Sequence, residues 1–192
     1  MPEEEIDELV ERARQGDPAA CAALYDVYAA RVYRFFRFRV RSPETAEDLM
    51  QRVFLKMVET LPGYEPRGVP FGAWLFRVAR NAWIDESRGN RTTISIDKLE
   101  TEPSDAGDPY DYANASIDGA LIRRAVATLS PDQREVIACR FFAGLTPRET
   151  AALMGRTEGS VRVLQHRALV ALRKLLPGMG GTFAVDLEAS GR

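Results

Sequence analysis

The sequence predicts an all-α fold: two small helical domains joined by a flexible acidic linker, with a helix-turn-helix in the C-terminal domain. Apolar residues recur at three- and four-residue spacing through residues 3–91 and again through 118–176, the period of an amphipathic helix. Between them, residues 92–117 carry two prolines, one glycine and six acidic side chains. We therefore place the domains at 1–91 and 118–176, the linker at 92–117, and a disordered tail at 177–192.

Local signals mark the helices of the N-terminal domain. Ser42 offers a capping hydroxyl, Pro43 suits the first helical position, and an acid follows in the first turn. This helix is expected to end near Leu61, because residues 62–70 hold three prolines and two glycines and form a loop. A further helix is predicted over residues 71–88.

The C-terminal domain carries two capping boxes, at Ser130–Gln133 and Thr146–Glu149, each with proline at the first helical position. Gly144 and Gly155 fall where helices are expected to stop. The predicted helices are 131–142, 147–154 and 158–176. The last two, joined by a tight turn, have the arrangement of a helix-turn-helix.

The second helix of this motif has an apolar face and a polar, basic face. Its apolar residues are Val161, Leu164, Ala168, Leu172 and Leu175. In a DNA-binding helix-turn-helix, the second helix enters the major groove and reads bases near its N-terminus. Ser160, Arg162 and Gln165 suit base edges or phosphates, and Arg167 and Arg173 suit phosphates. The candidate set also includes Arg156, Thr157 and His166. A plain helical hairpin in a core is the alternative.

The net charge of −2 points to no partner, but its distribution does. Residues 1–30 carry a net charge of −6, 31–91 of +5, 92–117 of −5 and 118–176 of +5. Two basic blocks separated by an acidic linker are what a polyanion would bind. Ordinary soluble helices rich in arginine are the alternative.

Other function classes lack their sequence signals. No run of eighteen apolar residues occurs and the acidic N-terminus is not a secretory signal, so we expect a cytoplasmic protein without a membrane segment. Cys21 and Cys139 lie far apart and are expected to be small core residues. With His166 as the one histidine, we expect no metal, no cofactor and no small-molecule substrate. An enzyme is the least favoured class.

Two stretches of the chain resemble the sigma factors of bacterial RNA polymerase. The family's fourth conserved region, which reads the promoter −35 element, is similar to LSPDQREVIACRFFAGLTPRETAALMGRTEGSVRVLQHRALVALRKLL. The second region is similar, in order and spacing, to RARQGDPAACAALYDVYAARVYRFF, AEDLMQRVFLKMVETL and PFGAWLFRVARNAWIDESR. Larger sigma factors carry additional domains, so the resemblance implies the compact extracytoplasmic-function group.

The resemblance implies a polymerase-binding helix at residues 46–61. The family's D-x-x-Q-x-x-F pattern appears as Asp48, Gln51 and Phe54, in a helix that docks on the clamp helices of the polymerase's largest catalytic subunit. The residues expected to contact the polymerase are Asp48, Leu49, Gln51, Arg52 and Phe54, with Val53 adding apolar area. A core position for Phe54, and a merely solvated face for Asp48 and Gln51, stay open as alternatives.

The resemblance also implies a −10 surface on the helix that starts near residue 71. In the family this region opens the duplex and captures a flipped base from the non-template strand. The candidates are Trp74, Arg77, Arg80, Asn81 and Arg88. Arginine neutralises phosphates, Asn81 suits a base edge and an aromatic ring stacks on a base. A core position is the alternative for Trp74, and a plain tether is the alternative to nucleic-acid mimicry for the linker.

The resemblance thus implies a sigma factor whose partners are core RNA polymerase, promoter DNA and an anti-sigma protein. It would read −35 with the helix-turn-helix and melt and read −10 with the N-terminal domain, without bond chemistry of its own. One rival is a sigma-like mimic that only sequesters an anti-sigma protein. Another is an ordinary helix-turn-helix regulator, which predicts a dimer on a palindrome.

Overall fold

The structure is a computed structural model that describes residues 1–40, 42–66, 68–93 and 125–175, with the backbone alone for 89–93. Every regular element in these ranges is helical, which confirms the all-α prediction, and none is long and apolar enough to cross a bilayer. We name the α-helices α1 (Glu3–Arg14), α2 (Pro18–Arg37), α3 (Pro43–Thr60), α4 (Phe71–Thr93), α5 (Pro131–Ile137), α6 (Pro147–Met154) and α7 (Glu158–Leu175). A 3₁₀ turn (Leu61–Gly63) follows α3 and a π-helical turn (Ala138–Phe142) follows α5.

The chain groups into two compact units. The first combines Met1–Ile96 with Ala138–Val161, and the second combines Asp97–Ile137 with Arg162–Arg192. Helix α6 therefore belongs with the N-terminal helices, and α7 begins in the first unit and continues in the second. The domain boundaries at 91 and 118 stay predictions; the linker beyond residue 93 and the tail from 177 lie outside the described residues.

The break between α1 and α2 was not placed by the sequence pattern. Gly16 adopts a φ of 87°, a conformation that L side chains rarely take. Asp17 then caps α2, because its Oδ1 accepts a hydrogen bond from the backbone N–H of Ala19 at 2.9 Å and Pro18 occupies the first helical position. Arg12 donates two bonds to Oδ2 of Asp17, at 2.9 and 2.7 Å, which tie the end of α1 to the start of α2.

Helices α2, α3 and α4 each bury one apolar face in a shared core. The large side chains with almost no exposure include Leu24, Val32, Phe35, Phe36, Leu49, Val53, Met57, Leu75 and Phe76. The rings of Phe35 and Phe76 meet edge to face with centroids 5.4 Å apart, which joins α2 to α4. Each such side chain contributes roughly 1.5–3 kcal/mol by leaving water. This core decides which faces of α3 and α4 are turned outward.

The predicted helix starts carry the predicted caps. Ser42 Oγ accepts a hydrogen bond at 3.1 Å from the backbone N–H three residues on. The Thr146 hydroxyl accepts from the backbone N–H of Glu149 at 3.1 Å, and the Glu149 carboxylate accepts from that of Thr146 at 2.7 Å. Ser130 and Gln133 form the same reciprocal pair at 3.3 and 3.0 Å. Both capping boxes are therefore confirmed.

The helix ends agree less evenly with the sequence. Gly144 and Gly155 adopt φ values of 61° and 64°, which confirms both predicted stops. The predicted end of the fourth helix at Arg88 is wrong, because α4 runs to Thr93. Gly89 and the residues after it lower helix propensity without removing a backbone N–H, so the hydrogen-bonded ladder continues.

The second unit buries a small apolar set before α5. Ala125, Val126 and Leu129 are all buried. Arg134 donates hydrogen bonds to the carbonyl oxygens of Ala127 and Leu129, at 2.9 and 3.3 Å. These bonds hold the turn before α5 against the helix.

The apolar face predicted for the last helix is largely confirmed. Its buried members are Val161, Ala168 and Leu172, and Leu164 is half-buried. Leu175 is 49% exposed and does not belong to this face, because it is the final residue of α7. Leu169 is buried instead, at 8% exposure.

Candidate nucleic-acid and polymerase interfaces

Helix α3 presents Asp48 and Gln51 to solvent. Both side chains are exposed and lie three residues apart, which places them together on one face. Leu49 and Val53, expected to add apolar area to the polymerase contact, are 1% and 0% exposed. As direct contacts they are wrong, because α2 and α4 pack against that side of α3.

Two apolar residues that the sequence pattern missed lie on the exposed face instead. Leu55 is 62% exposed and Val58 is 52% exposed. Together with Asp48 and Gln51 they follow the spacing i, i+3, i+7 and i+10, which is one side of a helix. This spacing was present in the sequence, but the core contacts decide which apolar residues of α3 face outward. We call Asp48, Gln51, Leu55 and Val58 the α3 face.

The other two residues of the predicted polymerase site have partners inside the protein. Phe54 is 7% exposed and its ring lies 4.6 Å, centroid to centroid, from that of Tyr25, which favours the core alternative. Arg52 is exposed, and its Nη1 donates to Oε2 of Glu86 at 3.0 Å. Arg52 thus links α3 to α4 in this structure.

Helix α4 brings most of the predicted −10 residues to the surface. Arg77, Arg80, Asn81 and Arg88 are all exposed. Arg77, Asn81 and Arg88 follow one another at four and seven residues, so they share a side of the helix, and Arg80 lies beside them. Three guanidinium groups and one amide here can serve a phosphate backbone and a base edge.

Trp74 stands apart from these four residues. It is half-buried, with ring centroids 4.8 Å from Tyr64 and 5.2 Å from Phe71. The same aromatic cluster buries Tyr64, and burial raises the pKa of its hydroxyl. These contacts favour the core alternative for most of the Trp74 ring.

The start of α7 is a capped and exposed helix terminus. Thr157 Oγ1 accepts a hydrogen bond from the backbone N–H of Ser160 at 3.2 Å and lies 2.9 Å from the Ser160 Oγ. Arg156 is exposed directly after the left-handed Gly155. A helix N-terminus favours phosphate, so these three residue types suit a nucleic-acid backbone at this point.

Further along α7, in the second unit, a basic face is exposed. Arg162, His166, Arg167 and Arg173 are exposed, and Gln165 is half-buried. The one acidic residue of the helix is Glu158, in its first turn. Positive charge therefore runs along the outer side of α7, as reading or clamping of DNA requires.

The cysteines are free thiols. Cys139 is buried, as predicted, and Cys21 is half-buried against the core. In the described part of the chain, no group of three or more His, Cys, Asp and Glu side chains is placed to hold a metal ion.

Similarities to known proteins follow the two helical regions. The family model described as Sigma-70 region 2 matches residues 24–93, and that described as Sigma-70, region 4 matches residues 125–174. The chain is similar to a solved structure of CnrH in complex with the cytosolic domain of CnrY, with a TM-score of 0.64 and 23% identity over 87% of this chain and 94% of that one. That likeness shows the fold.

Named relatives cover most of the chain. The ECF RNA polymerase sigma factor BldN of Streptomyces coelicolor is 39% identical over 88% of this chain and 65% of its own length. The ECF RNA polymerase sigma factor ShbA of Streptomyces griseus is 36% identical over 88% of this chain and 94% of its own. SigD of Mycobacterium tuberculosis is 34% identical over 94% of this chain and 88% of its own. On this likeness, this chain belongs to the ECF RNA polymerase sigma factors.

Proposed function

We propose that this chain binds core RNA polymerase and directs it to promoters, reading the −35 element with α7 and melting and reading the −10 element with α4. The presence of both sigma regions, in order, in a family of RNA polymerase sigma factors is the observation that carries this function. The residue assignments are supported by exposure and charge on α3, α4 and α7.

Polymerase binding is assigned to the α3 face. Its polar members, Asp48 and Gln51, offer directional hydrogen bonds, while Leu55 and Val58 offer apolar area that is at present in water. Interfaces combine such an apolar centre with a polar rim. Leu49, Val53 and Phe54 support this face from behind by packing into the core.

Promoter reading is assigned to two basic surfaces. On α7, Arg162 is the residue best suited to a bidentate contact with guanine, and Arg167 and Arg173 are assigned to phosphates. On α4, Asn81 is assigned to the flipped base and Arg80 to the backbone beside it. The protein performs no bond chemistry in this scheme; nucleotide addition belongs to the polymerase.

An anti-sigma protein is proposed as a third partner, and the cytoplasm as the place of action, as the resemblance implies. Such a partner would inhibit by covering the α3 face or the basic faces. The sigma-like mimic is disfavoured by the exposed basic face of α7, which a protein that never meets DNA does not need. An ordinary regulator would have no use for the α3 face.

The first experiment is co-purification of the full chain with bacterial core RNA polymerase. The Asp48→Ala/Gln51→Ala variant is expected to weaken binding by about tenfold or more, because both hydrogen-bonding groups of the α3 face are lost. Glu4→Ala/Glu8→Ala, an exposed pair on α1, is the matched control and is expected to bind like the wild type. Absence of binding by a folded wild-type sample would sink the proposal.

A further inference from the structure

Arg31 of α2 is the centre of a contact with the segment that precedes α6. Its Nε donates to the carbonyl oxygen of Ala143 at 2.9 Å, and its Nη2 donates to that of Gly144 at 3.1 Å. Nη2 also lies 3.6 Å from Oε2 of Glu149, and the guanidinium lies 4.9 Å from the ring centroid of Tyr28. The Arg31 side chain is only 19% exposed, so these partners replace most of its water.

Glu149 reaches the first turn of α4 with its other carboxylate oxygen. A Cβ added at Gly72 would lie 2.0 Å from Oε1 of Glu149 and 3.3 Å from the hydroxyl of Tyr28. Glu149 has little freedom to move aside, because it is 7% exposed and its Oε2 is held by the backbone N–H of Thr146 at 2.7 Å. This close approach therefore needs glycine at position 72. It also sets a carboxylate at the positive end of the α4 dipole.

Further contacts support the same docking. Arg77 of α4 donates through Nη2 to the carbonyl oxygen of Ala152, at 3.5 Å, in the last turn of α6. The rings of Phe38 and Phe142 lie 4.3 Å apart, centroid to centroid. All of these residues belong to the first compact unit. The first helix of the helix-turn-helix is thus held on α2 and α4 by polar and aromatic contacts.

We propose that these contacts form an inhibitory clasp, made by Arg31, Gly72, Arg77, Gly144 and Glu149, that keeps the free chain from engaging a promoter until it opens. The clasp rests on the proposed function, since it restrains promoter reading. It acts in two ways: it occupies a −10 residue, and it holds the −10 and −35 surfaces too close together.

The occupied residue is Arg77. Its guanidinium donates to the Ala152 carbonyl and is therefore engaged on α6 rather than presented to a phosphate. Opening the clasp exchanges this bond for one to a phosphate, which is a stronger, charge-assisted acceptor. The exchange favours the open form only when promoter DNA is present.

The distance between the two reading surfaces gives the second restraint. Arg156 and Ser160 lie four and eight residues beyond Ala152, and eight residues span at most roughly 30 Å. They therefore lie within about that distance of Arg77. Elements centred near −35 and −10 are about 25 base pairs apart, or roughly 80 Å along the duplex at 3.4 Å per pair. The clasped chain cannot touch both.

The test substitutes alanine for Gly72 in the full-length chain. The new Cβ cannot coexist with the Glu149 carboxylate in its present place, while alanine costs nothing as a helix residue in α4. Gly63→Ala is the matched control, because a Cβ there meets nothing within 4 Å. Hydrogen exchange of residues 143–154 is expected to speed up roughly five- to tenfold in Gly72→Ala and not in Gly63→Ala. Exchange within α3 is the internal reference and is expected to stay constant.

A second variant guards against misfolding of the first. Glu149→Gln retains an oxygen for the Thr146 N–H but loses the charge that faces Arg31. It is expected to speed exchange in the same direction by a smaller factor. Wild-type exchange rates in both folded variants would overturn the clasp, whether or not the protein binds polymerase.

Promoter binding by the free chain is the third readout. Gly72→Ala is expected to bind a duplex carrying both elements roughly five- to tenfold more tightly than the wild type, and Gly63→Ala to bind like the wild type. Faster exchange with unchanged promoter affinity would overturn the inhibitory role. Polymerase co-purification, run in parallel, tests the proposed function separately, because its failure would leave the exchange result to decide on the clasp.

Discussion

The Glu149 carboxylate lies 3.6 Å from the Arg31 guanidinium while it accepts the backbone hydrogen bond that caps α6. One buried side chain therefore serves the start of a short helix and its docking on α2. Arg31 and Glu149 are 19% and 9% exposed at the side chain, so water replaces neither partner well if the other is removed.

Truncation of Glu149 is expected to lower stability through both of these roles. Glu149→Ala removes a capping partner and leaves Arg31 without its carboxylate, for a combined loss of about 3 kcal/mol. Glu149→Gln keeps the cap and is expected to lose about 1 kcal/mol. Urea unfolding measures both values. Equal losses in the two variants would show that the cap contributes nothing.

The neighbouring residue gives a prediction of the opposite sign. Thr150 is fully buried, and its hydroxyl has no hydrogen-bond partner among the described residues. Thr150→Val removes an unsatisfied buried hydroxyl at nearly constant shape and is expected to stabilise the protein by about 1 kcal/mol. Thr60→Val is the control, because the Thr60 hydroxyl donates to the Lys56 carbonyl at 2.6 Å and its loss gives no gain. A lower melting temperature for Thr150→Val would contradict the prediction.

Asp17 gives the start of α2 a pH dependence. Hydrogen bonding from Arg12, together with the backbone N–H groups of Ala19 and Ala20, lowers the pKa of the Asp17 carboxyl below its ordinary value of 3.8. The native state therefore favours the ionised form, and the stabilisation is present above pH 3.8 and lost as the pH falls through the lower native value.

The measurement compares thermal unfolding of the wild type and Asp17→Asn from pH 7 to pH 2. Asparagine also caps helices but cannot form the ion pair with Arg12. The wild type is expected to unfold at the higher temperature near neutral pH, and the difference is expected to shrink below pH 3.8. A difference that stays constant over the whole range would exclude the ionised carboxyl as its cause.

The sequence predicts those features whose cause is local. A hydroxyl, a proline and a carboxylate within four residues were enough to place α3 and α6, and single glycines placed two helix ends. The contact between Arg31 and the Ala143 carbonyl joins residues 112 positions apart, so no local pattern encodes it. The outward residues of α3 were likewise misassigned, because the packing of α2 and α4 decides that Leu49 is buried and Leu55 is not.

Phe54 and its neighbour Leu55 separate core from interface on α3. Phe54→Ala is expected to lower the free energy of unfolding by about 3 kcal/mol, because it empties a buried position beside Tyr25. Leu55→Ala is expected to change stability by less than about 0.5 kcal/mol and to weaken polymerase binding by about fivefold. Urea unfolding and polymerase titration of both variants check this. A stable Phe54→Ala protein that has lost polymerase binding would move Phe54 from the core to the interface.

Arg162 and Arg173 are expected to differ in what they read. Both are exposed on α7, but Arg162 lies in the first turns, where a recognition helix meets base edges, and Arg173 lies in the last turn. Arg162→Ala is expected to weaken holoenzyme binding to the preferred −35 sequence by about tenfold and to narrow the gap between preferred and substituted sequences. Arg173→Ala is expected to weaken binding to all sequences alike and to reduce the salt dependence by about one counterion. Salt titrations of the two holoenzymes on preferred and substituted promoters distinguish the roles. If both variants lose affinity uniformly, Arg162 is a phosphate contact, and base reading belongs to another residue at the start of α7.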